Sequence, residues 1–250
     1  MWRTILFLMV FLTGMSPAMA AEITLAVASN FAAPAKEMIQ KFEQQTGHRV
    51  RLVLGSSGRM YAQITHGAPF DVFLSADRAK PAALDSRGLT LAGSRFTYAV
   101  GTIVLWSPRP GFITANGDVL KEGHFKRLAL ANPKLAPYGL AARETLQALG
   151  LYHSLSPKFV QGENIAQTYQ FIATGNAELG FIARGQVPKD GDGSVWIIPD
   201  SLHSPLRQDA VLLKRADHNP AALAFMIFLR SEQAQKIILA HSYILPERTP

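Results

Sequence analysis

Along this chain, short apolar runs alternate with stretches in which apolar residues recur at helical spacing. ITLAVAS (23–29) is apolar on both faces, as a buried parallel strand is, and Phe31, Ala35, Met38, Ile39 and Phe42 then keep helical period until Gly47 ends the run. Pro34 falls in the first helical turn, where its missing N–H costs little. The alternation continues with a strand over RVRLVL (49–54), a helix over about 59–66, a strand over DVFLS (71–75) and a helix over about 77–86. A β-α-β-α-β-α rhythm of this kind predicts a parallel sheet covered by helices on both faces.

A long β segment, FTYAVGTIVLWSP (96–108), interrupts the rhythm, which then starts again. RLALAN (127–132) reads as a strand, LAARETLQALG (140–150) as a helix, 158–161 as a strand, AQTYQFIATG (166–175) as a helix and LGFIA (179–183) as a strand. SVWIIPD (194–200) and QDAVLL (208–213) read as strands that return to the first unit, and two amphipathic helices at 221–229 and 232–241 pack against it. Two α/β units joined by a double crossing predict two lobes, lobe I over 21–100 plus 200–250 and lobe II over 101–199. A cleft between lobes is where a small ligand binds.

The first twenty residues, MWRTILFLMVFLTGMSPAMA, place Arg3 before an apolar core and close on Ala18-Met19-Ala20, the pattern of a secretory signal peptide (1–20) cleaved after Ala20. That core is shorter than the ~20 residues of a spanning helix, and no later segment is apolar enough to span, so the mature chain is expected to be exported without membrane insertion. The absence of cysteine excludes disulfides, thiolate catalysis and Cys-ligated metals. The formal charge of +7 is scattered, with no basic run and no interleaved aromatics. That pattern argues against nucleic acid and for a mild attraction of anions.

Candidate chemistry concentrates at four places where a strand ends, a small or polar turn follows and a helix begins: Ala28-Ser29-Asn30, Gly55-Ser56-Ser57-Gly58, Ala136-Pro137-Tyr138-Gly139 and Gly162-Glu163-Asn164-Ile165. The first N–H groups of a helix have no intrahelical partner and carry the positive end of its dipole, so each start is suited to an anion. Taken singly, each turn also reads as an ordinary cap, since Ser and Asn are favoured there. Four such turns, two in each half, point to a shared site. In the second of them Gly58 is expected to remove bulk where an anion approaches.

Other chemistries fit less well. Gly55-Ser56-Ser57-Gly58 lacks the G-x-S-x-G spacing of a serine hydrolase, and no Lys follows Gly58 as a phosphate-binding P-loop requires. His48, His66, His124, His153, His203, His218 and His241 show no metal-ligand spacing. Asp71 is expected to orient a loop and Glu163 to cap a helix.

The combination of AVASNF (26–31), GSSGRMYAQI (55–64), GAPFDVFLSAD (67–77), NPKLAPYGLAA (132–142), GENIAQ (162–167) and AELGFIA (177–183) resembles the periplasmic molybdate-binding proteins of ABC importers across the whole mature chain. The resemblance implies an α/β, two-lobed type II periplasmic binding protein fold, each lobe a mainly parallel sheet flanked by helices, with the ligand cleft between lobes. It implies a periplasmic monomer, not an enzyme, that needs no cofactor. Molybdate or tungstate is held through neutral donors and delivered to a permease and its ATPase. Carried over by position, it implies ligand contacts from Ser29, Asn30, Ser57, Tyr138 and Ile165. Tyr138 and Ile165 would donate their backbone N–H, so their side chains are expected to matter less.

One departure stands out: some members carry a tyrosine hydroxyl donor where this chain has Ala183, and Asn30 is the residue that could compensate. A receptor of the same fold for another small oxyanion or organic acid is the alternative reading, and an exported serine hydrolase using Ser57 a more distant one. A carboxylate receptor would usually offer an Arg for bidentate pairing, and only Arg59 lies near these turns.

Overall fold

A computed structural model describes residues 20–188 and 193–247. The signal segment, apart from Ala20, lies outside the described residues. In chain order the first half consists of β1 (Glu22–Ala28), α1 (Ala32–Thr46), β2 (Arg49–Gly55), α2 (Ser57–Thr65), β3 (Val72–Leu74), α3 (Ala79–Ser86) and β4 (Phe96–Gly101). There follow β5 (Ile103–Ser107), α4 (Val119–Glu122), β6 (Leu128–Ala131), α5 (Pro137–Ala148), α6 (Tyr152–Leu155), β7 (Phe159–Gly162), α7 (Ile165–Ala173), β8 (Leu179–Ala183) and β9 (Ser194–Ile197). The chain then forms β10 (Leu206–Leu212), α8 (Pro220–Arg230) and α9 (Glu232–Ala240).

The strands make two five-stranded sheets, ordered β2-β1-β3-β10-β4 and β7-β6-β8-β5-β9. In the first, β10 runs antiparallel to both neighbours while β1 pairs parallel with β2 and β3. In the second, β5 is the reversed strand and β6 pairs parallel with β7 and β8. Each sheet is therefore mainly parallel, and its one reversed strand is the one that has just crossed from the other lobe.

Two details of the crossings differ from the sequence reading. The long β segment is two strands broken at Thr102, and the break is itself the first crossing, because β4 and β5 belong to different sheets. SVWI at 194–197 does not return to the first sheet; it pairs antiparallel with β5 at the edge of the second. Strand propensity locates such a run but not its partner, which tertiary packing decides.

Each lobe has its own core. Phe31 from the turn before α1, with Met38 and Phe42 from α1, packs against β1 and the tail helices, where Phe42 meets Phe225 edge-on at 5.3 Å. Leu105, Leu128, Tyr138, Leu146 and Phe181 anchor the second lobe. Gly47 closes α1 in the left-handed conformation (φ 70°), its N–H bonded to Glu43 O. Asp71 accepts the Thr24 N–H at 2.6 Å and pairs with Arg215 at 2.6 Å, tying the loop before β3 to β1.

This layout brings helix starts to the carboxyl ends of parallel strands. The seat of α5 depends on Gly139, where a Cβ would lie 2.7 Å from Ala131 C and 2.9 Å from Asn132 C. Backbone cannot yield to that contact, so Gly139→Ala is expected to cost about 1–3 kcal/mol. Thermal unfolding should read this as a drop of several degrees (about 2–4 °C per kcal/mol at this size); an unchanged Tm would contradict the close packing of α5 on β6.

Candidate functional site

The five residues singled out in the sequence line one small cavity between the lobes, with a volume of about 10 Å³. Ser29, Asn30 and Ser57 come from lobe I, and Tyr138 and Ile165 from lobe II. The remaining lining is Ala28, Gly55, Ser56, Ala76, Ala136 and Pro137, so no charged side chain faces the cavity.

Each residue is placed by a helix start. Ser57 and Ile165 open α2 and α7, Tyr138 is second in α5 behind Pro137, and Ser29 to Phe31 form a single 3-10 turn leading into α1. The backbone N–H groups of Asn30, Ser57, Tyr138 and Ile165 have no hydrogen-bond partner among the described residues. All four residues are buried, Ser57 and Tyr138 to 1% exposure. Buried N–H groups are rarely left unpaired, because each costs about 1–3 kcal/mol. Four at one cavity are the mark of an acceptor-rich ligand.

The side chains refine this arrangement. Ser57 Oγ accepts the Ala76 N–H at 2.9 Å, which fixes the oxygen and leaves its own proton to donate. Among the described residues no His is hydrogen-bonded to it, so the hydrolase reading lacks a paired base. Ser29 Oγ donates to Asn164 Oδ1 at 3.1 Å, a bond that crosses between the lobes. Asn164 also caps α7, accepting from Ala166 and Gln167 N–H.

Three expectations need correcting. Glu163 is not the cap: its carboxylate takes Arg59 Nη1 at 2.9 and 3.1 Å across the mouth of the cleft. Gly58 makes room for the opposite lobe rather than for an anion, since its N–H donates to Leu135 O at 2.8 Å and a Cβ would meet that oxygen at 2.9 Å. The Asn30 amide does not stand in for the donor missing at Ala183, because its Nδ2 already donates to Gln208 Oε1 (2.9 Å) and Tyr243 OH (3.1 Å). What Asn30 offers the cavity is its backbone N–H.

The side chain of Tyr138 also matters more than its sequence reading implied. Its phenol is buried between the lobes and accepts from Gln208 Nε2 at 3.3 Å. Burial is the leading cause that pushes the Tyr98, Tyr138 and Tyr243 phenols well above the ordinary tyrosine range. They therefore stay neutral, and no negative charge develops beside the cavity.

A larger cavity, with a volume of about 370 Å³, shares Ala76, Ala136 and Pro137 with the small one. Its wall is charged, with Lys80 paired to Asp77 and Arg78 to Asp209, and Arg207 beside them. Convergent backbone donors, not size, distinguish the smaller cavity.

Residues 23–243 match the bacterial extracellular solute-binding protein family. The chain is 52% identical over 229 residues to the molybdate-binding protein ModA of Azotobacter vinelandii, covering 90% of this chain and 91% of that one. It is 48% identical over 228 residues to ModA of Rhodobacter capsulatus, covering 91% and 90%. A solved periplasmic molybdate-binding protein from Azotobacter vinelandii superposes with a TM-score of 0.87 at 39% identity, covering 90% of this chain and all of that one.

Two outcomes follow from the geometry. Gly58→Ala should hold the lobes apart, and small-angle scattering should read a larger radius of gyration in the presence of ligand; an unchanged radius would contradict the contact at Leu135. The buried phenols also set a pH dependence. Their folded pKa values are raised, so the stability they contribute is fully present below the unfolded value of about 10 and is lost as pH rises beyond it. Denaturant unfolding should therefore show this contribution flat from pH 7 to 9 and falling above pH 10, by up to about 1.4 kcal/mol per pH unit for each phenol. A rise in stability across that range would contradict their burial.

Proposed function

We infer that this chain, which belongs to the bacterial extracellular solute-binding proteins and within them to the molybdate-binding proteins of ABC importers, holds molybdate between its lobes for delivery to a membrane permease. The observation that carries the reading is the convergence of unpaired N–H groups from four helix starts on a cavity without charged side chains. Ser29, Asn30, Ser57, Tyr138 and Ile165 are the ligand residues. Asn30, Tyr138 and Ile165 act through the backbone, and Ser57 through both backbone and hydroxyl. Ser29 donates its hydroxyl once the anion replaces Asn164 as its acceptor.

Neutral donors are sufficient for a dianion. A hydrogen bond to a charged group contributes roughly 1.5–3 kcal/mol, and nanomolar binding requires about 12 kcal/mol. Five or six such bonds, less the costs of desolvation and closure, reach that range. Because lobe I supplies three ligand residues and lobe II two, the anion contacts both sets only in the closed state and favours closure by that difference.

The same ring accounts for selectivity. Donors fixed on rigid helix starts fit a larger tetrahedral oxyanion, molybdate or tungstate, and leave sulfate with stretched bonds. Protonated phosphate brings a donor that a site made of donors cannot pair, which is costly when buried. The protein acts as a periplasmic monomer, with a permease and its ATPase as partners and no cofactor beyond the cargo. Export uses the segment 1–20, and cleavage after Ala20 leaves the first strand whole. Ala21 is already part of the fold, its O accepting Arg49 N–H and its N–H reaching His48 Nδ1.

Titration calorimetry of the mature chain with molybdate, tungstate, sulfate and phosphate tests the reading. Molybdate and tungstate are expected to bind tightly and the other two weakly; sulfate binding as tightly as molybdate would overturn the selectivity, and no oxyanion binding would overturn the function. Ser57→Ala removes one donor to the charged ligand and should weaken molybdate by about ten- to hundredfold.

A further inference from the structure

We propose that Gln208 is a positioning residue that holds the two halves of the donor ring in register and so sets which oxyanion fits. The proposal rests on the functional reading above and names the part of the molecule that fixes its selectivity. Gln208 lies on β10, the strand that re-enters lobe I after the second crossing, and its side chain is fully buried. It lies outside the lining of the anion cavity.

Its environment is built by a break in the sheet. Between β10 and β4 the register runs Gln208 to Ala99 and then Asp209 to Thr97, leaving Tyr98 as the extra residue of a β-bulge. In an unbroken ladder Tyr98 would stand opposite Asp209, on the face turned away from Gln208. The bulge re-aims it, so that Tyr98 OH donates to Gln208 Oε1 at 3.1 Å while also reaching Ser75 O at 3.2 Å.

The rest of the amide is spent on the two lobes. Gln208 Oε1 accepts Asn30 Nδ2 from the first helix start of lobe I, and Gln208 Nε2 donates to the Tyr138 phenol from α5 of lobe II. Asn30 is clamped from its other side by Tyr243, whose hydroxyl accepts from Asn30 Nδ2 and donates to Asn30 O at 2.6 Å. One side chain thus fixes two residues whose backbone N–H groups are ligand donors on opposite sides of the cavity. Gly101, the last residue before the first crossing, leaves the room for this: a Cβ there would strike the Tyr138 hydroxyl and lie 2.7 Å from Gln208 Nε2. The hub therefore sits against the crossing strands about which the lobes would move.

Backbone donors have no side chain of their own to adjust, so their spacing is set by whatever holds the residues that carry them. Gln208→Leu keeps the shape of the side chain and removes all three of its bonds. Tyr138→Phe removes the bond from Gln208 Nε2 and, with the hydroxyl, its contact to Tyr243, and leaves the other two bonds of Gln208 in place. In calorimetric titrations of the mature chain, Gln208→Leu is expected to weaken molybdate at least about tenfold while changing sulfate by less than about threefold. Tyr138→Phe should move the molybdate-to-sulfate ratio in the same direction by a smaller factor. The double variant should be little worse than Gln208→Leu alone, since Gln208→Leu already removes the bond to Tyr138.

A merely structural role would lower the Tm and weaken both anions in proportion. A molybdate-to-sulfate ratio unchanged in Gln208→Leu, or in Tyr138→Phe if the former does not fold, overturns the proposal while wild-type binding leaves the functional reading standing. Wild-type protein that binds no oxyanion would overturn both.

Discussion

A helix cannot satisfy its own first N–H groups, and the fold of this chain turns that defect on one point from four directions. Each helix start carries partial positive charge as well as free donors, so the small cavity is favourable to an anion although no Lys or Arg lines it. The rest of the structure follows from the need to bring those starts together. Parallel strands β1, β2, β6 and β7 all end at the cleft, and the turn after each feeds a helix whose first residues stay there. Neutral tyrosines beneath the cavity keep opposing charge away from it.

The double crossing makes the two halves equivalent. Each sheet accepts, beside its third parallel strand, one reversed strand delivered from the other lobe, β10 in the first and β5 in the second. The lobes are thus tied by short crossing segments on one side and meet face to face on the other. Where they meet, the contacts are of unequal worth. Arg59 and Glu163 are both more than a third exposed, and a pair of that kind contributes only about 0–1 kcal/mol. The backbone bond from Gly58 to Leu135 is rigid and depends on the absence of a side chain, so it says more about how closely the lobes must approach.

Much of this was legible in the sequence, because the signals involved are local. Gly47 ends α1, and the turns at 55–58 and 136–139 announce helices that in fact begin inside them, at Ser57 and Pro137, each for a reason contained in a few neighbouring residues. The helix starts were readable as anion sites for the same reason, and all five singled-out residues line one cavity. What escaped was decided by partners far along the chain. Glu163 looked like a cap until Arg59, 104 positions away, claimed it. The partner of 194–197 depended on which sheet offered a free edge. Gly58 looked open to a ligand because its neighbour, Leu135, belongs to the other lobe. Gln208 sits between Arg207 and Asp209 in the polar first half of β10 and meets Asn30 across 178 positions and Tyr138 across 70, so nothing in its own neighbourhood sets it apart.

That last case bears on how such a site can be tuned. Hydroxyl donors such as Ser57 can be exchanged by one substitution, but an N–H group is the same on every residue except proline. A ring made largely of backbone donors can change its size only if the helix starts move, and they move only if their supports change. The supports visible here are a bulged strand, a buried amide and three phenols, none of which needs to touch the anion. On the proposed reading, selectivity would then be set one layer behind the ligand, in buried side chains whose displacement would leave polar groups unpaired.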